Sequence, residues 1–276
     1  MRIEPATECF GAFVSDVDLR SLTDDEATQI EAAWAENGVL FFRDQPLTPE
    51  AHIAFAERFA PIDVNKFFKP VDGHPQIAQV LKEADQITNI GGGWHTDHSY
   101  DQIPARGSIL LAREVPPTGG DTLFMSVAAA YDALDDDMKE RLTGLEARHS
   151  NEHVFGAAAA PQQHAGDRLG NPDQTGGAVH PVVIAHPTTG RKLLYVNAAF
   201  TLGVVGLDQA ESDELLHQLY AHMIKPEFSY QFQWEPGSIA MWDNRSTWHW
   251  ALNDYQGHRR LMHRITVQGE ALSAAV

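Results

Sequence analysis

A mainly β chain with helical insertions, built as a sheet sandwich or open barrel, is the fold class this sequence predicts. Three observations carry it. Six segments, "GSILLAR", "HPVVIAH", "KLLYVN", "FSYQFQW", "SIAMW" and "RLMHRITV", are short, rich in aromatic or β-branched residues, and bounded by Gly, Pro, Asn or Asp. In one of them Phe228, Tyr230, Phe232 and Trp234 alternate, so that strand has one strongly apolar face. Segments with helical periodicity gather at the front of the chain or stand alone between strands.

The elements follow in order. "TDDEATQIEAAWAENG" predicts a helix: Thr23 and Glu26 form a capping box, Ile30 and Trp34 lie four apart, and Gly38 stops it. "VLFFR" reads as a buried strand. "TPEAHIAFAERF" is a second helix, with Thr48 as N-cap and Pro49 at the first helical position. "SVAAAYDAL" and "QAESDELLHQLYAHM" are further helices. The stretch 157–177 is rich in Gly, Pro, Ala and Gln without a period, and is expected to be a long loop, either a lid or a surface insertion.

Composition narrows the function. A length of 276 residues holds one large domain or two small ones, with 43% hydrophobic and 21% charged residues as in an ordinary globular enzyme. The net charge of −18 argues against nucleic acid and against an anionic membrane surface. An anionic ligand would require the few cations to be concentrated locally. The one cysteine, Cys9, allows no internal disulfide, and no apolar run approaches a membrane span. A cytoplasmic location is expected.

The chemistry centres on "GGGWHTDHSY". His95 and Asp97 are two apart, and on a strand they would face the same side, with His98 pointing away. Three glycines before Trp94 allow close backbone approach. Far downstream, in "WDNRSTWHWALNDY", His249 follows a strand and a turn and offers a second imidazole. Trp242, Trp248 and Trp250 would keep its surroundings dry. Two imidazoles and one carboxylate form a face that leaves three positions open on an octahedral Fe(II). In "HRRLMHRITV", Arg260, Met262 and Arg264 share one strand face. Two arginines facing an apolar interior are costly without anions, and each guanidinium can grip a carboxylate through two hydrogen bonds. In "PPTGGDTLF", Gly119 and Gly120 make a tight turn ahead of Thr122, whose hydroxyl could reach a carboxylate. Taken singly, each feature is more often structural.

Together "WHTDHSY", "PPTGGDTLF", "IAMWDNRSTWHWA" and "RRLMHRITV" resemble, in order and spacing, the taurine dioxygenase family, which includes phenoxyacetate-herbicide dioxygenases and alkylsulfatases. The likeness runs over nearly the whole chain and implies a single catalytic domain, 1–276, with a double-stranded β-helix (jelly-roll, cupin-like) core. It implies that His95, Asp97 and His249 bind Fe(II). Thr122 and Arg260 are the expected holders of the distal carboxylate of 2-oxoglutarate. Arg264 is the expected contact for the anionic group of the substrate. Asp243 and Asn244 lie in the family's "WDN" turn and are expected to support the ligands from behind. The implied reaction consumes O₂ and 2-oxoglutarate, releases succinate and CO₂, and hydroxylates a small anionic organic substrate. That substrate would be a sulfonate, a sulfate ester, an aryloxyalkanoate or another carboxylate. Related halogenases have a small residue where Asp97 stands, so hydroxylation is expected. Taurine-specific members carry His and Tyr where Asn65 and Phe68 stand, and Asn where Gly91 stands, while Phe200 matches a substrate-side phenylalanine. The expected pocket is more apolar than a taurine site. "HSNEHVFG" is similar to the aryloxyalkanoate branch. Members of the family often self-associate, so a homo-oligomer is the expectation from the resemblance.

Two rival readings remain at this stage. A zinc-dependent hydrolase on the same fold would need a water-activating base that no residue here supplies. A non-enzymatic jelly-roll binding protein would have no use for an intact triad.

Overall fold

A computed structural model describes residues 1–155 and 175–275. Residues 157–174 of the expected loop lie outside the described residues. Gly177, at its far end, opens a strand, Gly177–Pro181, rather than belonging to the loop.

Among the described residues nine strands make one large sheet. Its order runs Arg2–Pro5, Ala12–Ser15, Val39–Phe42, Ile239–Asp243, Gly107–Glu114, Arg260–Val267, His74–Lys82, Pro70–Val71, with Ile62–Asp63 paired to Arg260–Val267. Only the pairing of Ala12–Ser15 with Val39–Phe42 is parallel within it. A three-stranded antiparallel sheet, Ser229–Phe232, Thr122–Ser126 and Thr247–Ala251, faces it. This is the jelly-roll sandwich that the resemblance implies.

Strand alternation sorts the large sheet into two faces. Ile109, Leu111, Ile239, Met241, Ile265 and Val267 point outward and pack with Ile30, Trp34 and Phe55 of the two front helices, Asp24–Asn37 and Pro49–Glu57. Their alternates, Leu110, Ala112, Ala240, Trp242 and Met262, point inward against Phe124, Phe232 and Trp234. The inward face of Arg260–Val267 therefore also carries Arg260 and Arg264, both buried. The first helix keeps its capping box, with Thr23 Oγ1 accepting from Glu26 N (3.2 Å) and Glu26 Oε2 accepting from Thr23 N (2.9 Å). Gly38 ends it at φ 73°, a backbone conformation that glycine adopts without strain.

Several elements differ from expectation. Phe228 sits in a short 3₁₀ turn, Pro226–Phe228, because Pro226 cannot donate to a ladder; the strand begins at Ser229. "HPVVIAH" divides into Gly177–Pro181 and Val183–Ala185, since a proline interrupts it. The helix Asp136–Leu142 was not anticipated, although Asp135 caps it by accepting from Met138 N at 2.7 Å. His249 follows the strand Ile239–Asp243 and a turn as expected, and itself lies on the next strand, Thr247–Ala251. No helix among the described residues is long and apolar enough to cross a membrane.

The core also hides two histidines whose ionisation opposes folding. Burial holds His52 at about 3 and His149 at about 3, so both are neutral in the fold. Unfolded, each would take up a proton below about pH 6.5. Their contribution to stability is thus complete above that pH and falls away as the pH drops toward 3. At pH ~4.5 each should cost about 2–3 kcal/mol. Denaturant midpoints followed from pH ~7 downward should decline, and His52→Leu should make the decline shallower; an unchanged slope would contradict this.

Candidate active site

His95 enters the site through a single bridge to His249: His95 N donates to His249 O (3.1 Å) and His249 N donates to His95 O (2.8 Å). This edge pairing with Thr247–Ala251 brings two imidazoles, 154 positions apart, to ring centroids 4.1 Å from each other. Asp97 is not on a strand, as the spacing argument assumed; it leaves the bridge in a bend. It still converges, because Thr96 turns the other way and donates its hydroxyl to the Asn244 carbonyl. His98, at φ 63°, swings out and donates Nδ1–H to Asp101 Oδ2 (2.8 Å), so it is no ligand candidate.

The tautomer of His95 follows from its partner. A carbonyl only accepts, so His95 Nδ1 carries the proton that it donates to Gly93 O at 2.8 Å, leaving Nε2 as a lone-pair donor. His95 Nε2 lies 3.7 Å from Asp97 Oδ1, and His249 Nε2 lies 3.7 Å from Asp97 Oδ2. One atom from each of the three side chains lies within 4.8 Å of the others, a geometry that can hold a metal ion. Burial opposes ionisation of Asp97, but Arg264 above all, and then the imidazoles, outweigh it and hold the carboxyl well below the usual range. Burial, with His95 alongside, pushes His249 far below an ordinary imidazole. Both groups are therefore in the metal-ligating protonation state at neutral pH.

The "WDN" turn supports this arrangement at one remove. Asp243 accepts from Arg245 and lies 3.2 Å from His186, while Asn244 donates to Ala105 O at 3.2 Å. Neither side chain reaches the three ligand atoms.

The two arginines are not equivalent. Arg260 donates Nε–H to Gly120 O (3.1 Å), and its buried Nη2 has no partner among the described residues. Thr122 Oγ1 accepts from the Trp234 indole at 2.9 Å, which leaves the hydroxyl proton to be donated elsewhere. Sequence reasoning placed Trp234 in the core and missed this bond; the signal was its position on the inward side of the alternating segment ending opposite Thr122. Arg264 already donates Nη1–H to Asp97 Oδ2 (3.1 Å), and its buried Nε is unpartnered among the described residues. Neither arginine lies on a solvated face, since Arg260 is 4% and Arg264 8% exposed.

A cavity of about 860 Å³ joins these groups. His95, Asp97, His249, Thr122, Arg260 and Arg264 all line it, as do Asn65, Phe68 and Phe200. Asn65 spends its carbonyl on Phe67 N (2.8 Å) and Phe68 N (3.0 Å), so it shapes the segment more than it offers an acceptor. Phe68 lies under the Arg264 guanidinium at 5.5 Å. Tyr100 and Phe155 join Phe200 in one aromatic wall, with Phe155 stacked on Phe67 at 4.4 Å. Tyr100, Phe67 and Phe155 were not singled out from sequence, where isolated aromatics carry no site signal. Trp242 packs on His249 at 4.7 Å, Trp248 donates to Val196 O, and Trp250 packs on Trp94, so the three tryptophans do enclose the ligand side. At Gly91 a Cβ would come within 3.3 Å of His95 Cε1.

The family described as "Taurine catabolism dioxygenase TauD, TfdA family" matches residues 2–266. The chain belongs to the TauD, TfdA family. It is 36% identical to the (S)-phenoxypropionate/alpha-ketoglutarate-dioxygenase of Sphingobium herbicidovorans, over 98% of this chain and 96% of that one. It is 33% identical to an alkylsulfatase of Acinetobacter baylyi, over 100% of this chain and 87% of that one. The crystal structure of a taurine dioxygenase from Burkholderia xenovorans superposes with a TM-score of 0.84 at 33% identity, covering 99% of this chain and 92% of that one. As a TauD, TfdA family member the protein is a non-haem Fe(II)- and 2-oxoglutarate-dependent dioxygenase, with Fe(II), 2-oxoglutarate and O₂ as its cofactors. The zinc-hydrolase and non-enzymatic readings are set aside. The residues present suit these groups: an anionic oxygen and two imidazole nitrogens for ferrous iron, and an unpartnered guanidinium nitrogen beside a free hydroxyl proton for a carboxylate.

Proposed function

We propose that this chain acts as one catalytic domain that hydroxylates a small organic anion with an apolar body, and that it releases succinate and CO₂. The observation that supports this most is the meeting, in one largely apolar cavity, of a two-imidazole, one-carboxylate set with two buried arginines on a single strand face. His95, Asp97 and His249 hold the iron. Arg260 Nη2 and the Thr122 hydroxyl take the distal carboxylate of 2-oxoglutarate. Arg264 takes the anion of the substrate, while Phe68 and Phe200 pack against its body and Asn65 keeps the Phe68 segment in place.

When bound, the iron supplies the oxidising chemistry that turns O₂ and 2-oxoglutarate into succinate and CO₂ and converts a substrate C–H to C–OH. The protein supplies placement. Gly93 fixes the face that His95 presents. The Arg260–Gly120 bond aims one guanidinium edge inward. The aromatic wall excludes water and gives a flat apolar surface to an aryl or alkyl group. Sulfonates, sulfate esters and aryloxyalkanoates all combine such a body with one anionic end. Hydroxylation at a carbon bonded to ester or ether oxygen would yield an unstable product that collapses and releases sulfate or an alcohol. The reading places the enzyme in the cytoplasm, where lone Cys9 needs no partner.

A succinate-release screen with Fe(II), 2-oxoglutarate and O₂ over sulfonates, sulfate esters, aryloxyalkanoates and other small carboxylates tests this. Substrate-dependent succinate is expected from an anion with an apolar body; stimulation only by uncharged compounds would overturn the assignment of Arg264. With the best substrate in hand, Arg264→Met should raise its KM about ten- to a hundredfold, the ~1.5–3 kcal/mol of a charge-assisted hydrogen bond. Iron content must be read alongside, because Asp97 loses its cation. A substrate KM that does not move would place the anion elsewhere.

A further inference from the structure

Arg260 has a cationic neighbour whose chemistry is unexplained. In the antiparallel ladder Arg260 pairs with Lys82, Met262 with Val80, and Arg264 with Ala78. Directly opposed residues project to the same face. Val80 lines the cavity and Ala78 packs on Phe68, so the face shared by Arg260 and Lys82 is the inward one. Lys82 is 2% exposed. A buried ammonium ordinarily requires a carboxylate. Lys82 has none within ion-pair distance among the described residues: Nζ donates to the Gln256 amide oxygen (3.2 Å) and lies 4.2 Å from the centre of the Tyr255 ring. Burial accordingly lowers its pKa.

The nearby acids are engaged elsewhere. Glu83 and Glu114 both pair with Arg259. Asp254 accepts from Gly120 N (2.7 Å), and Asp121 accepts from Gln231 (2.7 Å). In a chain with 38 acidic and 20 basic residues, neither Lys82 nor Arg260 forms an ion pair among the described residues, although the charge of Asp121 still favours the Arg260 cation. Tyr255 ties them into one unit. It is buried, it carries Lys82 on its face, and it lies against the Gly119–Gly120 turn that also holds Arg260. A Cβ on Gly120 would come within 3.3 Å of Tyr255 Cδ1 and 3.4 Å of Arg260 Cδ.

We propose that Lys82 is a positioning residue for 2-oxoglutarate. Held in the barrel wall beside Arg260 with no carboxylate of its own, it provides the second positive charge that the distal carboxylate neutralises. The inference rests on the reading of Arg260 as the holder of that carboxylate. Lys82 acts through the field at the barrel end and through Tyr255, without touching the cosubstrate. Like charges at directly paired positions of one ladder repel, and an anion placed at Arg260 relieves that repulsion. A site built this way favours a 2-oxo acid with a second carboxylate over one without.

The test measures 2-oxoglutarate binding by anaerobic titration of the Fe(II)-loaded enzyme, with KM and kcat measured in parallel, for the unaltered chain, Lys82→Met, Lys82→Arg and Arg260→Ala. Lys82→Met should bind 2-oxoglutarate about tenfold more weakly, raise its KM to match, and leave kcat within about twofold. Lys82→Arg should restore binding. The affinity for 2-oxopentanoate, which has the same chelating end and no distal carboxylate, should not change in Lys82→Met. If Lys82→Met does not fold, Lys82→Gln takes its place. Unchanged 2-oxoglutarate affinity in the Lys82 variant, while Arg260→Ala weakens it, would overturn the role of Lys82 alone. Equal weakening of 2-oxopentanoate would also overturn it, reducing Lys82 to a structural part. No loss in Arg260→Ala would take down the reading of the site itself, and this inference with it.

Discussion

His95→Ala and Asp97→Ala are each expected to abolish iron-dependent succinate release. Three side chains converge on one point, each contributing one donor atom within 4.8 Å of the others. Removing a supporting partner behind a ligand already costs about ten- to a hundredfold in metal affinity, and losing a ligand outright should cost more. The two variants should differ in stability. His95→Ala frees the Gly93 carbonyl in a half-open setting. Asp97→Ala leaves Arg264 buried with its Nη1 donor unpaired, the situation in which a broken buried pair costs about 3–5 kcal/mol. Iron titration and thermal melts together separate the effects. His98→Ala serves as the contrast: its ring turns toward Asp101, so iron binding should survive. Retained activity in His95→Ala, or equal loss of iron in His98→Ala, would overturn the ligand assignment.

Arg260→Ala carries the second large effect. Its Nη2 is buried and unpartnered, a state that costs energy until an acceptor arrives. A charge-assisted bond to a carboxylate is worth ~1.5–3 kcal/mol, so the KM for 2-oxoglutarate should rise about ten- to a hundredfold. The Thr122 hydroxyl contributes the smaller, neutral share, and Thr122→Val should raise that KM less. A KM for 2-oxoglutarate that stays put in Arg260→Ala would mean that the cosubstrate lies elsewhere in the cavity.

Much of this was legible before any coordinates. Helix caps are local: Thr23, Glu26 and Thr48 bond within three residues, and these helices appear where the spacing places them. That Arg260 and Arg264 share a face is equally local, since the strand period alone puts i and i+4 together; that the shared face is the inward one comes from packing. Where prediction failed, a neighbour in space intervened. The i, i+2 argument for His95 and Asp97 named two side chains that do converge, but by another route. Asp97 is not on a strand, and its direction is set by Thr96 bonding to Asn244, 148 positions away. Strands such as His74–Lys82 escaped notice because the polar residues Gln76, Gln79 and Lys82 blur the alternation; their partners come from the far end of the chain.

By itself the sequence determined the reaction class through the family resemblance that four motifs carry together, while each motif taken singly left its chemistry open. Only the tertiary structure decided how these parts are coupled. It gave Arg264 to Asp97 while leaving Arg260 without an ion pair among the described residues, turned the Trp234 indole onto Thr122, and paired Lys82 with Arg260 across the ladder while Glu83 and Glu114 bond Arg259. The reason is that a side chain's identity fixes what it can bond, whereas which partner it meets depends on ladder register and sheet stacking between segments more than a hundred residues apart.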